Sequence, residues 1–192
     1  MTRSPPRILF ATVILTLLSG AAGAQVGPRE EIPFVPTPLE VIDHMLDLAA
    51  VKKGDVVYDL GSGDGRVVIR AAQKYHARAV GIEMDSALID KARQDARAAG
   101  VSHLVRFRRE DAMKVDLSRA TVVTLYMLPW FNEAMKPRFK KYLKPGARIV
   151  AHDFGIEGWP PDVTLKLAEP EKKTGGYLHY HTLYLWRIGK ER

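Results

Sequence analysis

Three carboxylates stand where three successive apolar runs end. Asp59 comes near the end of DVVYDL, Glu83 closes AVGIE, and Asp111 follows LVRFRRE. Between the first two lies Gly61-Ser62-Gly63-Asp64-Gly65, with three glycines in five positions. Glycine-rich turns let a backbone approach a ligand closely. The spacing here is G-x-G-x-G rather than the G-x-G-x-x-G of dinucleotide sites. A pyrophosphate wants amide N–H groups and no neighbouring carboxylate, because like charges about 4 Å apart cost kilocalories in a low-dielectric cleft. Asp59 and Asp64 therefore suit a ligand with positive charge beside a small anionic group.

S-adenosylmethionine has that character: a sulfonium, an ammonium and a carboxylate. Glu83 is placed to accept both ribose hydroxyls. Asp111 is placed to accept from the adenine amino group, with the Ala112 N–H nearby. Tyr126, Met127, Leu128, Pro129 and Trp130, then His152, Asp153 and Phe154, end two further apolar runs, with Trp159 just beyond. These are the candidate wall of an acceptor pocket. A lysine amine, with a pKa near 10.4, is neutral in only about one molecule in two thousand at pH 7. An apolar aromatic pocket beside a sulfonium disfavours the ammonium, so Tyr126, Trp130 and Phe154 can activate an amine without a strong base. His152-Asp153 invites a base-and-orienter reading. Neighbours on a strand point to opposite faces, however, so the expectation is that they do not pair. Asp153 is then a wall residue and His152 a structural one. His179 and His181 share one face two residues apart; with no third ligand in sight, no metal is expected.

Positioning these residues needs a parallel sheet. DVVYDL (55–60), AVGIE (79–83), LVRFRRE (104–110), TVVTLYML (121–128) and ARIVAHDF (147–154) read as strands. Helical patterns separate them at 65–75, from Ser86 as N-cap to Gly100, and over 130–143, where Pro137 starts or kinks the second half. Short apolar strands alternating with helices imply both sheet faces covered. In such sheets ligands sit at the carboxyl ends of the strands. DVTLKLAE and YLHYHTLYLWRI, joined by PEKKTGG, form an antiparallel hairpin. Ahead of the first strand, Thr37-Pro38-Leu39-Glu40 predicts a helix start with Thr37 as N-cap and Glu40 completing a capping box. Pro28, Pro33 and Pro36 make 25–36 an extended lead-in. The fold class is α/β: a Rossmann-like, seven-stranded, mostly parallel sheet with helices on both faces and a C-terminal antiparallel hairpin.

YDLGSGDGR, AVGIEMD and REDA resemble the successive motifs of class I S-adenosylmethionine-dependent methyltransferases. PFVPTP, DLGSGDGRVVI, VDLSRATVVTLYMLP and AHDFGIEGWPPD are similar to the ATP synthase c-subunit lysine methyltransferase family and its bacterial relatives, over about residues 33–159. The resemblance implies a sheet whose last strand is antiparallel and methylation of a lysine amine. It places Asp59, Gly61, Gly63 and Gly65, with Asp64 among them, in the cofactor loop. Glu83 falls on the ribose, Asp111 and Ala112 on the adenine, and PFVPTP across the cofactor mouth with Val35 and Thr37 near the methionine end. Amide and adenine N-methyltransferases commonly carry Asn or Asp, two prolines and an aromatic where this chain has Tyr126-Met127-Leu128-Pro129-Trp130. That departure argues against nucleic acid bases as acceptors.

The 192 residues suffice for one domain, 37–192. With no cysteine, the chain has neither disulfides nor thiolate metal sites. MTRSPPR, the apolar run 8–18 and SGAAGA follow the order of a secretory signal cleaved before Gln25, and an uncleaved inner-membrane anchor is the alternative. Residues 1–24 contain Arg3, Arg7 and no acid, so their loss takes the formal charge from +7 to +5. Lys136, Arg138, Lys140, Lys141 and Lys144 form a basic run suited to an acidic partner or a peripheral membrane contact. The acceptor classes that remain are a protein lysine and a small molecule. A non-catalytic exported protein that keeps the fold is the third reading, because the donor is made in the cytosol. The residues carry no sign of oligomeric state.

Overall fold

A computed structural model describes residues 33–168 and 180–189. The leader, most of the lead-in, the hairpin tip and His179 lie outside the described residues. The elements are α1 (Leu39–Leu48), β1 (Val56–Leu60), α2 (Arg66–Tyr75), β2 (Arg78–Glu83), α3 (Ser86–Ala98), β3 (Val105–Arg109), β4 (Val122–Leu125), α4 (Pro129–Tyr142), β5 (Arg148–His152), β6 (Val163–Ala168) and β7 (Tyr180–Arg187). The seven strands run in the order β3-β2-β1-β4-β5-β7-β6. β1 to β5 are parallel, and β7 lies antiparallel between β5 and β6. This is the expected Rossmann-like sheet. The order reverses between β1 and β4, which puts the binding crevice at their carboxyl ends.

Strand parity splits the core into two layers. Val57, Ala79, Val105, Val122, Val150, Leu183 and Leu185 face α1, α2 and Ala96 of α3. Tyr58, Leu60, Ile82, Val123, Leu125, Ile149 and Trp186 face α4 and the 112–120 segment. α4 contributes Phe131, Asn132, Met135 and Phe139, one helical face, and turns Pro137 to solvent, where its missing N–H is tolerated. α1 and α2 are also tied by charge: Arg70 donates twice to Asp43, both at 2.6 Å.

Two helix starts differ from expectation. Pro38, not Thr37, caps α1, with no side-chain cap bond. The Thr37 hydroxyl turns inward to His152 Nδ1 at 3.3 Å, so it is not available for capping. α3 is capped by Asp85 rather than Ser86: its carboxylate accepts from the Ala87 and Leu88 amides. A carboxylate is also the better partner for the positive end of the helix dipole.

At the amino edge of the sheet, Asp55 is buried and fully engaged. It accepts from the Thr121 hydroxyl at 2.7 Å, the Arg148 guanidinium at 2.8 Å and the Lys52 amide at 2.9 Å. Burial works against its charge, and these donors outweigh it, so its pKa is lowered. Asp55→Ala strands all three donors. The expected loss is about 2–4 kcal/mol in urea unfolding, with ligand affinity at the opposite edge unchanged.

Candidate active site

Of the eight buried polar or charged side chains among the described residues, Asp55 is at the amino edge. Thr37, Asp59, Ser62, Asp64, Thr124 and His152 cluster at the carboxyl rim, and Asn132 lies on α4. A sheet that gathers buried polarity at one rim is built for a ligand there.

Asp59 and Thr124 are register partners on neighbouring strands, and the Thr124 hydroxyl donates to Asp59 Oδ1 at 2.6 Å. Burial raises the Asp59 pKa to about 7, against the pull of Thr124 and with help from the charges of Glu83 and Asp64. The glycine loop is held from β2. Gly61 and Ser62 donate to Ile82 O, each at 2.9 Å, and Gly63 donates to Glu83 Oε2 at 2.9 Å. The Gly61, Ser62 and Gly63 amides are thus committed to the protein, which disfavours a bound phosphate and agrees with the spacing. Glu83 Oε1 also accepts from the Met84 and Asp85 amides at 2.7 and 3.0 Å, which fixes the carboxylate at the strand end.

Gly63 has φ +51 and lies beneath the Phe34 ring. A Cβ on Gly61 would come within 2.5 Å of Met127 Sδ. The loop is therefore sandwiched between the PFVPTP segment and the segment after β4, and side chains there are excluded. Ser62 Oγ is buried with no hydrogen-bond partner. Asp64 differs from its expected role facing a ligand. Both of its oxygens are occupied by Arg66, at 2.9 and 2.7 Å, and Arg66 also donates to Thr37 O at 3.0 Å. Burial opposes its charge, and the Arg66 bonds outweigh that, so its pKa is lowered. Asp64 anchors the lead-in across the loop. Asp111 accepts from the Met113 amide at 2.9 Å, and Ala112 is buried beside it.

β4 ends at Leu125, so Tyr126 begins the following loop. Its ring lies 4.0 Å from the His152 ring and stacks on Phe154 at 6.3 Å. Burial, aided by Asp153, raises the Tyr126 pKa. β5 ends at His152, and Asp153 has φ +57. That left-handed residue breaks strand parity, and the expectation that His152 and Asp153 stay apart fails. His152 Nε2 is 3.2 Å from Asp153 Oδ2 and 2.8 Å from His181 Nδ1. Burial pushes the His152 pKa down to about 4, with His181 adding and Asp153 opposing. The structure brings Tyr126, Asp153 and Phe154 together around His152. Trp130 is elsewhere in the packing, edge-on to Phe131 on α4. Val35 is exposed.

Arg66, Phe34, Thr124 and Met84 were not singled out from the sequence by role, and Met127, expected in the acceptor wall, packs over Gly61. Met84 is 64% exposed directly after Glu83, an apolar surface beside that carboxylate. Its position next to a strand-end acid was the available signal. The basic run is partly consumed. Lys136 donates to Glu157 O and Gly158 O, and Arg138 to Val115 O, so both hold loops.

Residues 59–163 match the family model of the ANTKMT methyltransferase domain. A protein-lysine N-methyltransferase of Saccharolobus islandicus is 40% identical over 84% of this chain and 96% of its own length. The ATP synthase c-subunit lysine N-methyltransferase of Xenopus laevis is 34% identical over 68% of this chain, which spans 57% of that protein. The crystal structure of an RNA methyltransferase from Salinibacter ruber, in complex with S-adenosyl-L-homocysteine, is 48% identical and superposes with a TM-score of 0.73, over 82% of this chain and 96% of that one.

With its pKa near 7 rather than 3.8, Asp59 in the folded chain keeps a proton that the unfolded chain sheds as pH rises past 4. Its penalty is absent in acid and complete above neutrality. Asp59→Asn has no such penalty. The variant's melting temperature should exceed the parent's near pH ~8, with the gap narrowing towards pH ~4.5 in the ligand-free protein.

Proposed function

The chain belongs to the family of the ANTKMT methyltransferase domain and is an S-adenosylmethionine-dependent methyltransferase, and from that premise we propose that it methylates the side-chain amine of a protein lysine. One observation carries the reading: Asp59, Glu83 and Asp111 at successive strand ends face the same rim as the uncharged wall of Tyr126, His152 and Phe154.

The residues present fit the cofactor. Asp59 is a buried carboxyl with one short donor, Thr124, and two acids for neighbours, so it suits the positive end of the cofactor, while Met127 and Phe34 packed over Gly61 and Gly63 exclude side chains from the loop. In this reading Asp59 faces the cofactor's positive amino acid end, Glu83 holds the ribose, and Asp111 with Ala112 holds the adenine. Met84 covers the base. Gly61, Gly63 and Gly65 shape the loop, Asp64 acts through Arg66, and Val35 and Thr37 close the mouth. The bound cofactor supplies a methyl carbon made electrophilic by its sulfonium.

The chain's own residues then present a neutral amine. Tyr126 keeps its phenol proton, because its pKa is raised, and His152 carries no charge at neutral pH. Such a wall solvates an ammonium poorly, so the amine sheds its proton before attack. Asp153, 28% exposed, gives an incoming ammonium a first partner at the pocket edge. The methylated nitrogen would carry a positive charge, and its excess proton would leave to solvent past Asp153.

Lysine is favoured over RNA by the Tyr126–Trp130 segment and by the lysine-methylating relatives. Labelled S-adenosylmethionine added to extract should place methyl groups on lysine side chains. Label confined to RNA or small metabolites would overturn the acceptor assignment. At saturating cofactor the rate should climb with pH as free amine accumulates, with no inflection near the ordinary histidine value of ~6.5. Glu83→Ala and Asp111→Ala should each weaken cofactor binding by about 1–3 kcal/mol. Cofactor affinity should rise with pH through neutrality as Asp59 ionises, and Asp59→Asn should remove that dependence. Residues 1–24 are proposed to direct export. A reporter active only outside the cytosol, fused after Arg29, should be active in bacteria, and an inactive fusion would refute the leader.

A further inference from the structure

We propose that His152, Asp153 and His181 form a binding site for a divalent transition metal ion, with zinc the best chemical match. The three ligand atoms form a compact triangle. His152 Nε2 lies 2.8 Å from His181 Nδ1 and 3.2 Å from Asp153 Oδ2, and His181 Nδ1 lies 3.7 Å from Asp153 Oδ2. Zinc bonds imidazole nitrogen and carboxylate oxygen at about 2.0–2.2 Å, so the edge of its coordination tetrahedron is about 3.3–3.5 Å. The triangle brackets that edge, and adjustments of up to about half an ångström, the largest at the 2.8 Å His152–His181 edge, bring it to one face of the tetrahedron. Two imidazoles and one carboxylate also suit zinc in kind, whereas magnesium and calcium select oxygen.

The supporting bonds are those a metal ligand needs. Asp153 Oδ1 accepts from the Thr182 amide at 2.9 Å, which leaves Oδ2 to point inward. Thr37 Oγ1 lies 3.3 Å from His152 Nδ1. With the His152 proton on Nδ1 and Thr37 accepting it, the Nε2 lone pair faces the ion. Binding then requires a shift of tautomer and no net loss of a proton. Hydrogen bonds of this sort fix ring orientation in metal sites. Two segments distant in sequence converge here: the end of β5 with the residue after it, and β7. His152 is 1% exposed, His181 16% and Asp153 28%, so the triangle is closed on one side and open on the other. The open side leaves the fourth position to water or to a group of the acceptor. An ion here would also pin the left-handed turn at Asp153 that carries Phe154 over Tyr126.

An ion here would take Asp153 Oδ2, the oxygen that the proposed function offers to an incoming ammonium, so the site is tested by binding alone, without methyl transfer. The full chain, stripped with a chelator and dialysed, is titrated with zinc chloride by calorimetry and with cobalt(II) by visible absorption. One equivalent of zinc should bind, cobalt should give the intense visible bands of a tetrahedral site, and zinc should raise the melting temperature. His181→Ala and Asp153→Asn should lose binding and bands, and Thr37→Val should weaken binding by about tenfold. His103→Ala, exposed and remote in sequence, is the control and should bind as the parent does. Circular dichroism melts establish that each variant is folded, and because His181 is partly exposed its variant avoids a large core cavity. Absence of stoichiometric zinc binding by the folded parent would overturn the proposal. So would binding undiminished in His181→Ala, which would mark the ion as adventitious.

Discussion

A carboxyl group buried at the carboxyl end of β1 constrains everything around it. Asp59 has one short hydrogen bond, from Thr124, and two acids for electrostatic neighbours. A site arranged in that way is poorly satisfied alone and well satisfied by positive charge. It also explains why the glycine loop differs from a phosphate cradle. Its first amides are bound to Ile82 O and the Glu83 carboxylate, so the loop presents shape rather than hydrogen-bond donors. In the proposed reading the positive counterpart comes from the ligand's sulfonium and ammonium, not from the protein. The free enzyme therefore carries an unfavourable group whose cost the ligand relieves, a common feature of binding sites with perturbed carboxylates.

Arg66 extends this constraint to the mouth. It neutralises Asp64, which would otherwise add to the negative charge around Asp59, and with the same guanidinium holds the Thr37 carbonyl. Thr37 in turn reaches His152 at the end of β5. The lead-in is thus connected to both halves of the rim, the cofactor side through Arg66 and the acceptor side through His152. Phe34 above Gly63 completes the cover.

The sheet and the antiparallel C-terminal pair were legible because each strand is an apolar run and each helix has its own period. The three acids were legible because strand-end position follows from strand limits alone. Partners across strands were not. Thr124 meets Asp59 through the register of β1 with β4, and nothing within either segment sets that register. Thr37 has the chemistry of an N-cap, and local pattern cannot reveal a buried histidine 115 residues away that competes for its hydroxyl. Asp85 and Ser86 are both good caps, and the choice between them turns on one residue of helix start. The basic run on α4 reads as a free charged face. Yet Lys136 and Arg138 spend their donors on loop carbonyls that only the folded chain brings near.

The corner after β5 is the instructive failure. Alternation of side chains holds only while the backbone stays extended, and Asp153 leaves the extended region while remaining paired to β7. Its amide donates to Thr182 O at 2.7 Å, and its carboxylate accepts from the Thr182 amide. Aspartate tolerates the left-handed conformation better than most residues, and here its side chain gains a backbone donor by adopting it. The turn has two consequences at once. It moves a carboxylate from the opposite face into reach of His152 and His181. It also redirects the chain so that Phe154 stacks on Tyr126 instead of continuing the strand. One residue of unusual φ therefore supplies both the charged edge and the apolar wall of the acceptor side. A β-branched residue at 153 would favour the extended strand and undo both.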